Sequence, residues 1–337
     1  MTRRATAQDV ADLAGVSRST VSLVLNGRAD GNISRAKQEA VRDAAEQLRY
    51  TPNAVALSLR SKRTETIGVL TWPDRRHMPL ALLGAVYTAA SRAGYLLMMV
   101  DAVQRPGQVD ALLDRRVDGF VVVAPELTAF AVPEAVASVP VVMVNCFDES
   151  LAASSLVPDE VGAGASAARL LLDAGHRELA VLTGDGLAGE RRVLGVRRTA
   201  ANAGLVEPVV LAAGHSVDDG YAAARRLLQS DLPPTGFVCT HERLALGALL
   251  AAADLGLRVP DDVSLVSLDD GEDLAGLLVP PVGRVERPDE VIAAHAIELL
   301  VDQLRHGRTD VRRLSFVCPV QPGSSIGPPR LRAAPTG

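Results

Sequence analysis

The chain has 337 residues, 48% of them hydrophobic and 3% aromatic, which allows two or three packed cores and excludes a disordered or fibrous protein. Its 35 basic and 40 acidic residues give a net charge of −5, unevenly spread. Met1 to Arg63 holds 11 Lys and Arg against 6 Asp and Glu, net +5, and the remainder holds 24 against 34, net −10; a small basic unit ahead of an acidic body suits one part that meets a polyanion and one that does not.

Met1 to Asp9 lacks the apolar run of a signal peptide, and no stretch of eighteen apolar residues follows, so a cytoplasmic chain with no membrane partner is expected. The first helix is predicted over Ala7 to Ala14, with Val10, Leu13 and Ala14 on its inner face. Gly15 suits the left-handed turn that follows, and Val16 plugs the space beneath it. Ser17 caps a second helix, Arg18 to Leu25, which turns Val21, Val24 and Leu25 inward and Arg18, Ser19, Ser22 and Leu23 outward. A third helix, capped by Ser34, packs through Ala36, Ala40, Val41, Ala44 and Leu48. Two short helices about a glycine-containing turn fit a helix-turn-helix that lays its second helix in the major groove. The spacing alone fits a plain three-helix bundle equally well.

From Thr66 onward the pattern changes to short apolar runs separated by segments of helix length. The runs are 67–70, 96–100, 120–123, 141–144, 179–182, 209–211, 237–239 and 263–266. Continuously apolar strands alternating with helices are those of parallel sheets covered on both faces, so the body is α/β. Eight such units suit two sheets, one ending near Val157 and the next beginning near Asp159. A Gly- and Pro-rich stretch from Asp269 to Pro288, then a helix from Val291 to Leu304, allows a crossing back to the first sheet. Ligands bind such sheets at the carboxyl ends of their strands, so two facing lobes form a cleft and a hinge-bending receptor is the natural reading.

Cys146, Cys239 and Cys318 form no C-x-x-C pair, so neither a zinc framework nor a disulfide scaffold is expected; the first two, at the ends of apolar runs, read as small buried hydrophobes. No phosphate-loop, nucleophile-elbow or H-E-x-x-H motif is found, and the chain is not expected to be an enzyme.

The stretch Gln8-Asp9-Val10-Ala11-Asp12-Leu13-Ala14-Gly15-Val16-Ser17-Arg18-Ser19-Thr20-Val21-Ser22-Leu23-Val24-Leu25-Asn26-Gly27 resembles the headpiece signature of the LacI/GalR family of bacterial repressors. Tyr50 to Arg60 is similar to that family's hinge helix, and the resemblance runs through the body to about Pro328. It implies an all-α helix-turn-helix headpiece, residues 1–50, and a hinge helix and linker, 51–63. A periplasmic-binding-protein-like body of two doubly wound parallel-sheet lobes follows: 64–157 with 287–315, then 158–286 with 316–330, with a tail at 331–337. It further implies a homodimer that binds a pseudo-palindromic operator in double-stranded DNA at the nucleoid and answers to a small-molecule effector, a sugar or sugar derivative. The tail lacks a leucine heptad, so no coiled-coil tetramer is expected.

By the same resemblance Arg18 and Ser19 choose the base sequence, Ser17, Thr20 and Asn26 position phosphates or cap, and Ser22 and Leu23 complete the major-groove face. Leu23 stands where many members carry an arginine, so it meets a thymine methyl or the half-site differs. In the hinge, Leu59 is the apolar wedge for the minor groove, with Asn53, Ala56 and Arg60 beside it; without the resemblance Leu59 reads as a packing residue. The effector site is placed at His77, Asp101, Asn145, Arg192, His215, His241 and Asp269. Pro73 to Pro79 replaces the family's usual aromatic-bearing loop, and His241-Glu242 replaces a common Asn-Asp pair, so stacking on a sugar ring is poorly provided for. His77, His215 and His241 carry no metal-ligand spacing, and neither metal nor cofactor is expected. A solute receptor with the same body is the rival reading, against which the headpiece argues.

Overall fold

The computed structural model describes residues 5–27, 29, 31–51, 63–72, 79–105, 107–136, 138–268, 274–307 and 310–330. The chain forms two compact units, Met1–Glu65 and Thr66–Gly337. The predicted hinge residues Asn53, Ala56, Leu59 and Arg60, and the predicted effector residues His77 and Asp269, lie outside the described residues.

The first unit contains α1 (Ala7–Ala14), α2 (Arg18–Leu25) and α3 (Arg35–Gln47). A capping box starts α1: the Asp9 amide donates to the Thr6 hydroxyl and the Thr6 amide to the Asp9 carboxylate, 2.7 Å. Gly15 ends α1 at φ +62° and donates its N–H to the Ala11 carbonyl, the left-handed cap that glycine adopts without steric cost. The core of this unit is Val10, Ala11, Val21, Val24, Val41, Ala44 and Ala45, with Ala14, Val16, Leu25 and Leu48 packed against it. Two residues expected inside are not. Leu13 is 49% exposed, because at 3.6 residues per turn it falls roughly a third of a turn from the Val10, Ala11, Ala14 stripe. Ala36 is exposed as well, whereas Ala45, further along α3, is buried. Ser34 stands at the N-cap of α3 but makes no capping bond; instead Gln38 donates to the Ile33 carbonyl at 2.9 Å.

The second unit holds two six-stranded sheets. Its elements run β1 (Thr66–Thr71), α4 (Leu80–Arg92), β2 (Leu96–Asp101), α5 (Gly107–Asp114), β3 (Gly119–Ala129), β4 (Val141–Phe147), β5 (Ser154–Pro158), α6 (Glu160–Asp173), β6 (Leu179–Thr183) and α7 (Leu187–Asn202). Then follow β7 (Val209–Ala212), α8 (Val217–Leu228), β8 (Gly236–Cys239), α9 (Glu242–Asp254), β9 (Ser264–Leu268), β10 (Gly283–Val285), α10 (Asp289–His306), β11 (Arg313–Phe316) and β12 (Val320–Gln321). One sheet has the order β11-β5-β4-β3-β1-β2 and the other β12-β10-β9-β8-β6-β7. All eight apolar runs are strands. At the sheet edges, however, β2 and β7 keep exposed apolar side chains such as Leu96, Met99 and Val209, so those two runs are not covered on both faces.

The chain passes from sheet to sheet three times, at β5 to β6, β10 to β11 and β11 to β12. Helix α10 belongs to the first lobe, where Ile292, Ala293, Ile297 and Leu300 pack with Ile67, Val121 and Val142. In the second lobe, helices pair with backbones almost touching. A Cβ at Gly195 would overlap the Val161 carbonyl, and one at Gly164 would overlap the Arg192 carbonyl, so α6 and α7 meet through reciprocal glycines. Gly220 and Gly247 do the same for α8 and α9. All three cysteines are buried; burial pushes the Cys239 and Cys318 thiols up to about 12 and that of Cys146 further. Gly195→Ala is expected to cost about 1–3 kcal/mol through overpacking, read as a lower urea midpoint at unchanged slope.

Candidate DNA-binding face and ligand cleft

Helix α2 begins at Ser17, whose hydroxyl accepts the Thr20 amide at 3.2 Å and lies 2.7 Å from the Ser19 and 2.9 Å from the Thr20 hydroxyl. Three hydroxyls thus crowd the positive end of the helix, where an anion is favoured. Ser17, Arg18, Ser19 and Leu23 are exposed, and Thr20, Ser22 and Asn26 are half-buried. Asn26 closes the far end by donating to the Ser22 carbonyl, 2.5 Å, and hydroxyl, 3.1 Å, which makes it a capping residue here.

In the body, the structure brings three groups together at the carboxyl ends of strands from both lobes. Strand β3 breaks register with β4 between Val123 and Thr128, and Asn145, with φ +58°, donates its side-chain amide to the Ala124 and Pro125 carbonyls, 3.2 Å each. The pinned irregularity carries Glu126 out of the first lobe. Its Oε1 lies 3.5 Å from His215 Nδ1 and 3.7 Å from His241 Nε2, both of the second lobe. Burial pushes the Glu126 carboxyl up, but the hydrogen bond and charge of His241 and the charges of His215 and Arg192 outweigh it and leave the pKa below the ordinary value. The two imidazoles meet edge to face, centroids 4.7 Å apart.

Arg192 lies buried behind this cluster. Its Nε and NH2 donate to the two carboxylate oxygens of Glu160 at 2.5 and 3.0 Å, and its NH1 to the Thr240 carbonyl at 2.5 Å. This residue, expected to hold the effector, therefore also ties α7 to α6 and to the end of β8. Asp101 accepts the Val103 and Gln104 amides at 3.0 and 2.8 Å and turns the chain after β2. Glu242 accepts from Leu274 and Ala275, a structural task. Among the described residues, Thr71 Oγ1 and Asn145 Oδ1 are buried without a hydrogen-bond partner, and both stand toward the carboxyl ends of first-lobe strands, where a ligand's donors would satisfy them. Trp72 stacks on Phe130, centroids 4.6 Å apart, just beyond Thr71.

Glu126 and Thr71 were missed in the sequence. The signal for Glu126 was a lone carboxylate directly after an apolar run. What could not be read was the register break that aims it across the lobes.

A helix-turn-helix headpiece with an exposed second helix, carried on two interleaved α/β lobes, defines a DNA-binding regulator with a ligand-receiving body. Residues 6–53 match the bacterial regulatory proteins of the lacI family, and residues 168–326 match the periplasmic binding protein-like domain. The chain is 31% identical over 311 residues to the HTH-type transcriptional repressor PurR of Vibrio cholerae, covering 89% of this chain and 92% of that one. It is 29% identical over 318 residues to the ribose operon repressor of Haemophilus influenzae, covering 92% and 95%. The transcriptional regulator CelR in its cellobiose complex superposes at TM-score 0.65 with 27% identity, covering 96% of this chain and all of that one. The lac repressor dimer bound to operator and the anti-inducer ONPF shares the fold at TM-score 0.76 and 24% identity, covering 96% and 99%. The chain belongs to the LacI family of bacterial transcriptional regulators, and three of these four relatives are repressors. Among the described residues no helix is long and apolar enough to cross a membrane.

Glu160→Gln leaves the Arg192 guanidinium buried without its counter-charge, and the expected loss is about 3–5 kcal/mol of folding stability, measured by urea denaturation.

Proposed function

We propose that the protein is a cytoplasmic repressor that binds a pseudo-palindromic operator as a homodimer, and that a small molecule in the interlobe cleft sets its affinity for DNA. The observation that carries this reading is the exposed face of α2, where Arg18, Ser19 and Leu23 stand clear of the headpiece core beside a hydroxyl-rich helix N-terminus. Arg18 would take guanine O6 and N7, and Leu23 a thymine methyl. Residues 51–63 would form the hinge helix, with Leu59 as the wedge that kinks the minor groove and Asn53, Ala56 and Arg60 beside it. A short helix is marginal alone in water, so it would form with DNA and melt when the body moves.

The homodimer is supported by exposed apolar side chains at one edge of the first lobe. Leu80 and Tyr87 stand seven residues apart on α4, and Leu96 and Met99 line the edge strand β2, all exposed. An apolar edge strand invites pairing unless another surface covers it, and a second copy brings the two headpieces that a twofold operator needs. The effector is a sugar or sugar derivative in this reading, supported by the cellobiose complex of one relative and the ribose operon of another. Thr71, Asn145, Arg192, His215 and His241 would meet it, and His77, Asp101 and Asp269 remain further expected contacts.

The test is fluorescence anisotropy on DNA from upstream of the protein's own gene, beside scrambled DNA, at two salt concentrations and with a panel of sugars. Tight binding to the upstream DNA alone, relieved or enhanced by one sugar, supports the reading; equal, salt-sensitive binding to both DNAs counts against a specific operator there. Arg18→Ala is expected to weaken specific binding by about 1–3 kcal/mol, a 5- to 150-fold rise in Kd, while binding to scrambled DNA changes little. Leu96→Asp with Tyr87→Asp should shift the sedimenting species from dimer to monomer.

A further inference from the structure

We propose that Glu126, His215 and His241 form a binding site for one divalent transition-metal ion of the zinc type, held across the cleft by a carboxylate of the first lobe and two imidazoles of the second. The ligand atoms lie within 4.8 Å of one another, and the two carboxylate-to-imidazole distances are 3.5 and 3.7 Å. A tetrahedral zinc ion bonded at about 2.0–2.2 Å holds its ligand atoms roughly 3.3–3.5 Å apart, so a small side-chain adjustment completes the set. Two histidines and one carboxylate leave a fourth position open to water or to an oxygen of a bound small molecule.

The surrounding hydrogen bonds prepare His241 to act as a ligand. The Thr183 hydroxyl donates to the Gly184 carbonyl at 3.0 Å, so it receives the Thr240 hydroxyl at 3.3 Å. Thr240, its proton thus committed, faces His241 Nδ1 at 3.0 Å and accepts that nitrogen's hydrogen. That contact engages Nδ1 and leaves Nε2 as the nitrogen turned toward the Glu126 carboxylate. A metal ion at this point would take the place of the proton that the carboxylate and imidazole otherwise share; an outer partner that orients a ligating histidine in this way is typical of metal sites. His215 is placed by a second device. A side chain at residue 184 would overlap its imidazole ring, and only a glycine lets the ring lie there. Arg192, a cation behind the cluster, gives its Nε and NH2 to the two carboxylate oxygens of Glu160. Because the ligands come from both lobes, a bound ion would tie the lobes together.

The experiment takes the full chain, stripped of metal by chelation, and titrates it with Zn2+ by calorimetry and with Co2+ by absorption spectroscopy. One equivalent per chain, with the intense visible bands of a low-coordinate cobalt ion, is expected. Glu126→Gln, His215→Gln and His241→Gln should each abolish those bands, and Thr240→Val should weaken binding by about 10- to 100-fold. His306→Gln, on the exposed end of α10, should leave the titration unchanged. Circular dichroism confirms that each variant is folded. A wild-type chain that takes up no stoichiometric metal, including one whose cluster exchanges only protons, overturns the proposal, as do cobalt bands that survive in the cleft variants. The titration contains no DNA, so its outcome is separate from that of the operator measurement.

Discussion

The body depends on a contact between two lobes that could otherwise move apart. Glu126 reaches from the first lobe to two imidazoles of the second, and it does so because β3 slips its register and Asn145 fastens the slipped carbonyls. The carboxyl ends of parallel strands are where an α/β lobe presents its chemistry. Three crossings between the sheets also join the lobes covalently. In the proposed reading, a ligand that changes the charge or spacing around Glu126 would act on the relation of the two lobes.

Behind the contact lies a rigid floor. The Arg192–Glu160 pair is almost wholly buried. A buried pair seldom adds much net stability over well-packed apolar groups, but breaking it is costly. Its value here is positional, since Arg192 also holds the Thr240 carbonyl and so fixes the turn that carries His241. The reciprocal glycines of α6 and α7 press the same two helices together. The second lobe therefore offers its histidines from a preorganised surface, while the Thr71 and Asn145 oxygens of the first lobe are buried without a hydrogen-bond partner.

The fold class was legible because it rests on composition and periodicity. Runs such as Phe120 to Val123 and Phe237 to Cys239 could hardly be anything but buried strands. Short strands escaped: β5 opens on Ser154-Ser155 and β11 on Arg313, whose polar character hides pairing that only the tertiary neighbours decide. In the headpiece, the face of a two-turn helix proved harder to judge than its existence, which is how Leu13 came to be placed inside. The exposure of Arg18, Ser19 and Leu23 on the second helix was legible, since the outer face of a helix N-terminus is a local feature. The cleft was only half legible. His215 and His241 were recognised one by one, but their meeting with Glu126 depends on a register break and on two lobes, neither of which leaves a mark in local sequence.

Trp72, the only tryptophan, lies at the end of β1 stacked on Phe130, where it can report on the cleft. The most direct test follows its emission while the small molecule that alters DNA binding is titrated into the protein, with and without saturating operator DNA. If DNA and small molecule act on one equilibrium, operator must change the small molecule's affinity by the same factor by which the small molecule changes the operator's. Equal factors, read through Trp72 on one side and DNA anisotropy on the other, are the predicted result. A small-molecule titration that is identical with and without operator would contradict the account.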